Sequence, residues 1–561
     1  AKDVVEVPDD SQKPLEGFDD SVDSHPGQCP GDGSPLRVTM SRMAQAMSKS
    51  FKHSFLAKVS EGIKSVSLGG EALLTYGSAC SGSDLAFHAI ESVLDTFLES
   101  WVPRSAEACK VKHVFACEKD QKKQKFLQAQ FPQLECIFGD VSGLHSRTAK
   151  NMINDRRVPI PYVDLFAAGF SCKSRSNANN NSSSHKNCVQ EGDLDTETGY
   201  TFHHIYRYIL RSKPRLLFLE NVSGLAEKDE GSSADGKEPK TQSDADWIVQ
   251  QLEQNGYAAR YVIFDASDFG SPAARKRIYF VAWLMEFDGL KDGSVRFDRE
   301  KLGIVDRVMN NLTVEAISPK QCLILPPASL LPDSEHVTDF NCSSAKESRA
   351  SESVWKEEHC NAFRGMEYPW PPEMPAKGVR DKGRKCTVQQ DTVFSFYRMM
   401  LDDRNAELAL FACSKFPMPP DSDPQFFDTK NSYSRTFAKD EDASPWRTVV
   451  PTLTGQGRMV VRYWYDGEVI LRPVLGIECM AFAGWHFEWW EEPRCLYDDS
   501  LLINLAGNAF SAFAVVPIAM VLFHVQGAIW SVAQAVMSGE VPPAIDSQDD
   551  GDVSVGTSSS D

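Results

Sequence analysis

The sequence predicts an α/β fold with a mostly parallel, doubly wound, Rossmann-like sheet, joined to a second, irregular domain. Three observations carry that prediction. From residue 71 short apolar runs alternate with helical segments, most of these runs end in Gly, Asp, Glu or Asn, and the alternation stops at about residue 286 and resumes after about 444. Strands buried on both faces read as such runs, and the helices between them cover the sheet. Ligands of such sheets bind outside the carboxyl ends of the strands, so chemistry is expected at the polar residues found there.

Residues 1–35 carry nine acids and two bases and are rich in Asp, Ser, Gly and Pro, the composition of a disordered acidic tail. Residues 36–70 hold six bases and one acid, with Met40, Met43, Met47, Phe51 and Phe55 at helical spacing. This is a basic amphipathic helix, which either packs by its apolar stripe or offers its bases to phosphate. Across 71–285 the expected strands are EALLTY, HVFACEKD, ECIFGD, VDLFAAGF, RLLFLENV, AARYVIFD and RIYFVAW, and the polar tract 226–246 reads as a surface loop. Residues 286–444, rich in Pro, Ser and aromatics, form the second domain or a large insertion. Residues 445–537 complete the first domain with TVVPTLT, MVVRYWY, VILRPVLGIECMAFAGW and an apolar helix, and 538–561, with six acids and no base, is a second tail.

The net charge of -19 in 561 residues argues at first sight against a polyanionic partner. The two tails hold -13 of it, so most of its force disappears once it is localised. Fourteen cysteines contain no CxxC pair and no His at zinc-finger spacing, which predicts a reducing compartment and no structural metal. The longest apolar run, 509–523, is shorter than the ~20 residues of a membrane span and contains Pro517, so a buried helix is expected. No secretory leader is visible, and an intracellular protein is expected.

Five features sit at strand ends. The turn GSACSGSD follows a strand and opens a helix near Asp84, letting backbone N–H groups approach a ligand; a plain tight turn has the same look. Glu118 and Asp140 end the next two strands, where acids accept hydrogen bonds from a nucleoside or merely cap. Cys172 lies just past VDLFAAGF and before a long polar loop, so its thiol is reachable and open to activation, although most cysteines are small buried hydrophobes. Glu220 and Asn221 leave the strand RLLFLENV, and Arg275, Lys276 and Arg277 precede RIYFVAW, positions suited to acid–base work and to holding an anion or carbonyl, or to ordinary surface charge.

Taken in order, GSACSGSD, CEKD, GDVSGL, GFSC, LENV, ARKR, a variable segment, PTLT, IECMAFAGW and AGNAFSAF resemble the motifs of the cytosine carbon-5 methyltransferases over roughly 71–285 and 445–525. The resemblance implies a class I methyltransferase fold, S-adenosylmethionine as cofactor and double-stranded DNA as partner, with no metal and no membrane. It implies Cys172 as nucleophile on cytosine carbon 6, Glu220 as partner of ring nitrogen 3 and the exocyclic amine, Arg277 on the carbonyl at position 2, and Arg275 supporting the loop or a phosphate. It also implies Glu118 and Asp140 on the cofactor ribose and adenine, Gly82 and the backbone around Ser78 at its methionine end, and Gly507 and Asn508 closing the pocket. A target base must leave the helix stack for such chemistry.

In this family the variable region reads the target, which makes 286–444 the expected target-recognition domain. Its tract 377–385 offers Lys377, Arg380, Lys382, Arg384 and Lys385 for phosphate contacts, or as a solvated loop, with Tyr368 and Trp370 nearby. Nuclear residence is expected from the inferred substrate. The chain departs from the family in three places: Ser171 replaces the proline before the cysteine, Gly77, Ala79 and Ser81 replace a more glycine-rich first motif, and Ala273 replaces a glutamine. An RNA substrate and a non-catalytic regulator descended from the enzyme are the competing expectations.

Overall fold

The computed structural model describes residues 35–50, 59, 73–101, 110–173, 189–190, 196–228, 242–285, 303–324, 385–387, 394–397, 401, 403–430, 443–485 and 498–537. Helix α1 (Pro35–Ser50) comes first, then β1 (Leu73–Ala79), α2 (Leu85–Trp101), β2 (Lys110–Cys117), α3 (Gln121–Gln130) and β3 (Cys136–Phe138). A small hairpin, β4 (Thr148–Lys150) and β5 (Arg157–Pro159), precedes β6 (Leu165–Gly169), α4 (Glu197–Ser212) and β7 (Leu216–Asn221). The first domain continues through α5 (Asp244–Gln254), β8 (Tyr257–Asp265) and β9 (Lys276–Leu284). After α6 (Gly303–Asn311) come β10 (Lys385–Thr387), β11 (Phe394–Tyr397), α7 (Asp403–Lys415) and β12 (Gln425–Asp428). Strands β13 (Met459–Tyr465) and β14 (Glu468–Pro473) and helices α8 (Gly476–Phe482), α9 (Asp499–Asn508) and α10 (Ala512–Met537) follow.

The main sheet has seven strands in the order β3-β2-β1-β6-β7-β9-β8. Pairs β1–β2, β2–β3, β1–β6 and β6–β7 are parallel, whereas β9 runs antiparallel to both β7 and β8. The strand order reverses at β1, whose neighbours are β2 on one side and β6 on the other, and that is where a doubly wound sheet opens a ligand crevice. Alternation along each strand divides two cores. Leu165 and Ala167 of β6 join α2 and α10 on one face, while Phe166 and Ala168 join α4 and α5 on the other.

Local chemistry sets the helix ends. Asp120 caps α3 by accepting from the N–H groups of Lys122 and Lys123, and Thr196 caps α4 through Gly199. Ser243 and Asp246 form a reciprocal capping box on α5. The α1 stripe is a packing face: Leu36, Met40 and Met43 are fully buried, and the helix contacts α2, α6 and α10. Phe51 and Phe55 lie outside the described residues. The helical stretch Asp499–Gly527 is apolar and long enough to cross a membrane, but 94% of its most apolar window is buried inside the protein. Its members Phe513, Val516, Ile518 and Phe523 belong to the core.

The second sheet has five strands in the order β10-β11-β14-β13-β12 and packs on α7 through Leu408, Phe411, Val460, Val469 and Leu471. It corrects one boundary. Strands MVVRYWY and VILRP were expected to complete the first domain after residue 445, yet they pair with β12 and β11 from the variable segment. A hairpin needs further strands to be stable, and those strands lie upstream of the expected boundary. TVVPTLT forms no strand; Val450 bridges Ala273 instead. The sheet is tied to the first domain by Arg472 and Glu478, both fully buried and paired through two hydrogen bonds of 2.8 and 2.7 Å.

Candidate active site

The turn after β1 runs through three left-handed residues, Cys80 at φ 53°, Gly82 at 57° and Asp84 at 51°. Two of the three bear side chains, so surrounding bonds must hold the conformation. Asp84, buried at the start of α2, accepts from the Tyr76 hydroxyl at 2.8 Å and the Ser78 hydroxyl at 2.6 Å and lies 2.9 Å from His113 Nε2. Ser81 Oγ sits 2.6 Å from Ser78 Oγ and accepts the Cys117 N–H at 3.0 Å. Ser78 therefore turns its side chain inward, as part of the frame under the turn.

Glu118 is joined to that turn directly. Its Oε2 accepts the Gly82 N–H at 3.0 Å and its Oε1 accepts the Asp120 N–H at 2.9 Å. Asp140 caps the next turn through Ser142 and accepts the Tyr200 hydroxyl at 2.8 Å. Burial alone would push the Asp140 carboxyl up, but the bonds from Ser142 and Tyr200 outweigh it and hold the group below its ordinary value. The same pocket raises the Cys80 thiol to about 12, first by burial and then by the charges of Glu118 and Asp140. A nucleoside cofactor fits this end. Gly82 has nothing within 4 Å of where a Cβ would stand, so its backbone faces open space, and two acids flank it.

The second cluster is assembled by strand register. Gly169 of β6 pairs with Glu220 of β7, so Cys172, three residues on, emerges beside that carboxylate. Tyr279 of β9 pairs with Glu220, which brings Arg277 to the same edge. Arg277 Nε lies 3.0 Å from Glu220 Oε1. The N–H is not aimed at that oxygen, which is buried and accepts no hydrogen bond, so hydrogen-bonding capacity remains for an incoming group. The Cys172 thiol is raised, mainly by burial and then by Glu220, while Arg277 and Arg275 pull it down. The resting sulfur is thus a protonated thiol beside a charged pair.

Arg275 is near this cluster, 3.8 Å from Glu220, but serves another purpose. It is 6% exposed and donates to the carbonyls of Gly507 at 3.1 Å and Ala509 at 2.6 Å. Its guanidinium is thus spent on the local backbone rather than turned to the surface. Burial lowers the guanidinium to about 10, followed by repulsion from Arg277.

Gly507 owes its identity to packing: a Cβ there would lie 2.2 Å from both the Thr454 carbonyl carbon and the Gly455 nitrogen. Asn508 is exposed and its amide donates to the Asn504 carbonyl at 2.8 Å. Helix α9, which carries both, packs on α3 next to the Glu118 strand end. Phe510, beyond it, packs edge-on against Phe218 and lies 3.5 Å from where a Cβ on Gly169 would stand.

Lys377, Arg380, Lys382 and Arg384, with Tyr368 and Trp370, lie outside the described residues, as do 174–188 of the loop after Cys172. Lys385 begins β10. Among the described residues no group of His, Cys, Asp or Glu could hold a metal ion. Sequence reasoning missed Tyr200 and Thr201 in the first turn of α4, which touch Asp140 and the Ser171 N–H. Nothing in ETGYTF marks them, because both act through contacts made by distant strands.

The sheet and its strand-end residues define a Rossmann-like α/β protein in which the Gly82–Glu118–Asp140 end adjoins Cys172, Glu220 and Arg277. The chain belongs to the C-5 cytosine-specific DNA methylase family, whose model matches residues 103–394, more than half of it. Type II methyltransferase M.MspI of a Moraxella species is 33% identical over 147 residues, 26% of this chain and 28% of that enzyme. The DNA (cytosine-5-)-methyltransferase DMT5 of Cryptococcus neoformans is 29% identical over 173 residues, 30% of this chain and 6% of that protein. The chain thus matches under a third of either relative. Among solved structures, the Entamoeba histolytica methyltransferase EhMeth superposes with a TM-score of 0.36 at 14% identity, over 80% of this chain and 98% of that one.

Proposed function

We propose that the protein transfers a methyl group from S-adenosylmethionine to carbon 5 of cytosine in double-stranded DNA. The observation that carries this reading is the convergence of Cys172, Glu220 and Arg277 at one edge of the sheet, past the carboxyl ends of β6 and β7 and at the amino end of the antiparallel β9, next to the Gly82–Glu118–Asp140 pocket. S-adenosylmethionine, when bound in that pocket, supplies an electrophilic methyl group on a sulfonium. Glu118 and Asp140 hold its nucleoside and the Gly82 turn its methionine end.

Cytosine turned out of the duplex presents its Watson–Crick edge to Glu220, which accepts from the exocyclic amine and, when protonated, donates to ring nitrogen 3. Arg277 donates to the carbonyl at position 2. Cys172, having given its proton to solvent, adds to carbon 6 through its sulfur, and the ring electrons pass to carbon 5. Carbon 5 would then take the methyl carbon as its bond to the sulfonium sulfur breaks, that sulfur keeping the electron pair and leaving as a neutral thioether. Loss of the carbon-5 proton to a base re-forms the 5,6 double bond and expels Cys172 as thiolate. Arg277 and Arg275 favour that thiolate and in part counter the burial that keeps the resting group protonated.

The test is to incubate the protein with methyl-labelled S-adenosylmethionine and cytosine-containing duplex, with transfer RNA as competitor. Labelled duplex from wild type and none from Cys172→Ser is expected, as is covalent trapping by 5-fluorocytosine duplex. Equal labelling by the mutant removes the nucleophile assignment, and labelling of transfer RNA alone removes DNA as substrate.

A further inference from the structure

The residue before Cys172 is a serine whose backbone N–H is used: it donates to Thr201 Oγ1 at 3.1 Å. A proline in that position has no N–H to give and orients the chain by its locked φ instead. Thr201 lies in the first turn of α4, and its hydroxyl donates to the Glu197 carbonyl at 2.8 Å. The hydroxyl proton is thereby committed to the helix, leaving a lone pair directed at the loop. Helix α4 is a firm support, since Phe202, Ile205 and Ile209 are fully buried on its inner face.

Two more contacts hold the same stretch. Lys173 Nζ reaches both oxygens of Glu197 at 2.8 and 3.0 Å, and Asn221 Nδ2 donates to the Phe170 carbonyl at 2.9 Å. The lysine pair is exposed, 75% and 48%, and such pairs contribute little. Asn221 holds mainly the residue two before the cysteine and reaches the Ser171 carbonyl only at 3.4 Å, leaving the Ser171 N–H to Thr201. The Thr201 bond acts on the residue immediately before the cysteine, and removing its acceptor strands a partly buried N–H.

We propose that Thr201 is a positioning residue for Cys172: by accepting the Ser171 N–H, its hydroxyl replaces the orienting role of a proline ring and holds the thiol toward Glu220 and Arg277. The proposal rests on Cys172 being the nucleophile, but loop orientation is measurable without methyl transfer.

The full chain is compared as wild type, Thr201→Val, Thr201→Ser, Ser171→Pro and the Ser171→Pro/Thr201→Val double variant. The pH midpoint of Cys172 alkylation is followed by peptide mass, alongside kcat and KM for duplex and S-adenosylmethionine. In Thr201→Val the loosened thiol loses part of its burial, so the midpoint falls, and kcat drops about fivefold to tenfold, the effect of one hydrogen bond, with both KM values unchanged. Thr201→Ser keeps the wild-type midpoint and kcat to within about twofold, because it keeps the acceptor. In the Ser171→Pro background Thr201→Val has no further effect, since no N–H remains to be accepted.

A wild-type midpoint in Thr201→Val overturns the proposal, as does an equal loss in Thr201→Ser, a change confined to KM, or a full Thr201→Val effect in the proline background. If Ser171→Pro does not fold, the valine and serine variants decide alone. If wild type transfers no methyl group, the alkylation midpoints still decide the Thr201 role, and it is the functional reading that fails.

Discussion

Tyr200 donates its phenolic proton to Asp140 across 2.8 Å, joining the helix that follows the Cys172 loop to the acid at the end of the third strand. The bond orients one carboxylate oxygen and leaves the other for a ligand. Tyr200→Phe is expected to weaken S-adenosylmethionine binding about fivefold, less than the full worth of a hydrogen bond to a charged group because Tyr200 acts on the ligand only through Asp140. Titration calorimetry measures it, and an unchanged or tighter dissociation constant contradicts the role.

Glu220 and Arg277 make a second pair whose removal has two separable consequences. Glu220→Gln keeps the shape but removes a charge that raises the Cys172 thiol. The pH midpoint for Cys172 alkylation should therefore fall, while methyl transfer drops by about 10-fold to 100-fold through loss of a charged hydrogen bond to the base. A midpoint that stays put or rises would show that the charge does not act on the sulfur.

Gly507 has no room for a side chain, because its neighbours at 2.2 Å are backbone atoms of Thr454 and Gly455 rather than movable side-chain ends. Gly507→Ala must separate α9 from the 453–457 segment and disturb the Arg275 bonds to the Gly507 and Ala509 carbonyls. Stability should drop by about 3 kcal/mol in denaturant unfolding, the upper range for overpacking. A loss below about 1 kcal/mol would mean that the two segments are free to part.

Asp499 is 7% exposed, accepts the Gly476 N–H, and has its pKa raised to about 7, first by burial and then by Glu478 and Asp498. A folded-state pKa above the unfolded value of ~3.9 means that the folded protein holds this proton longer. The stability linked to this group is greatest below about pH 4 and declines as pH rises toward about 7. Asp499→Asn keeps an oxygen for Gly476 without the charge. Its melting temperature should match wild type near pH 4 and exceed it at pH 8, by about 2 kcal/mol of stability. Equal melting temperatures at pH 8 would disprove the linkage.

Much of the site was legible in linear order. Cys172, Glu220 and Arg277 each follow or precede an apolar run, and the sheet does set them side by side, as strand-end residues of neighbouring strands must be. Glu118 and Gly82 were likewise marked by position, and a hydrogen bond joins them. Arg275 shows the limit. Two residues before Arg277, it looks like a second surface cation, yet the packed fold buries it against carbonyls more than 200 residues away. Strands β13 and β14 show another: their apolar pattern marks strands but says nothing about which sheet they join.

The sequence by itself determined the α/β class, the alternation of the first domain and the residue types at the strand ends, because periodicity and turn chemistry are local. Tertiary structure alone decided which strands share a sheet, and that Tyr200 and Thr201 support the acid and the loop beside the thiol. Those outcomes depend on register and on the docking of α4, which bring together groups 30 to 60 residues apart. A hydrogen bond made across such a gap leaves no periodic trace in the chain that makes it.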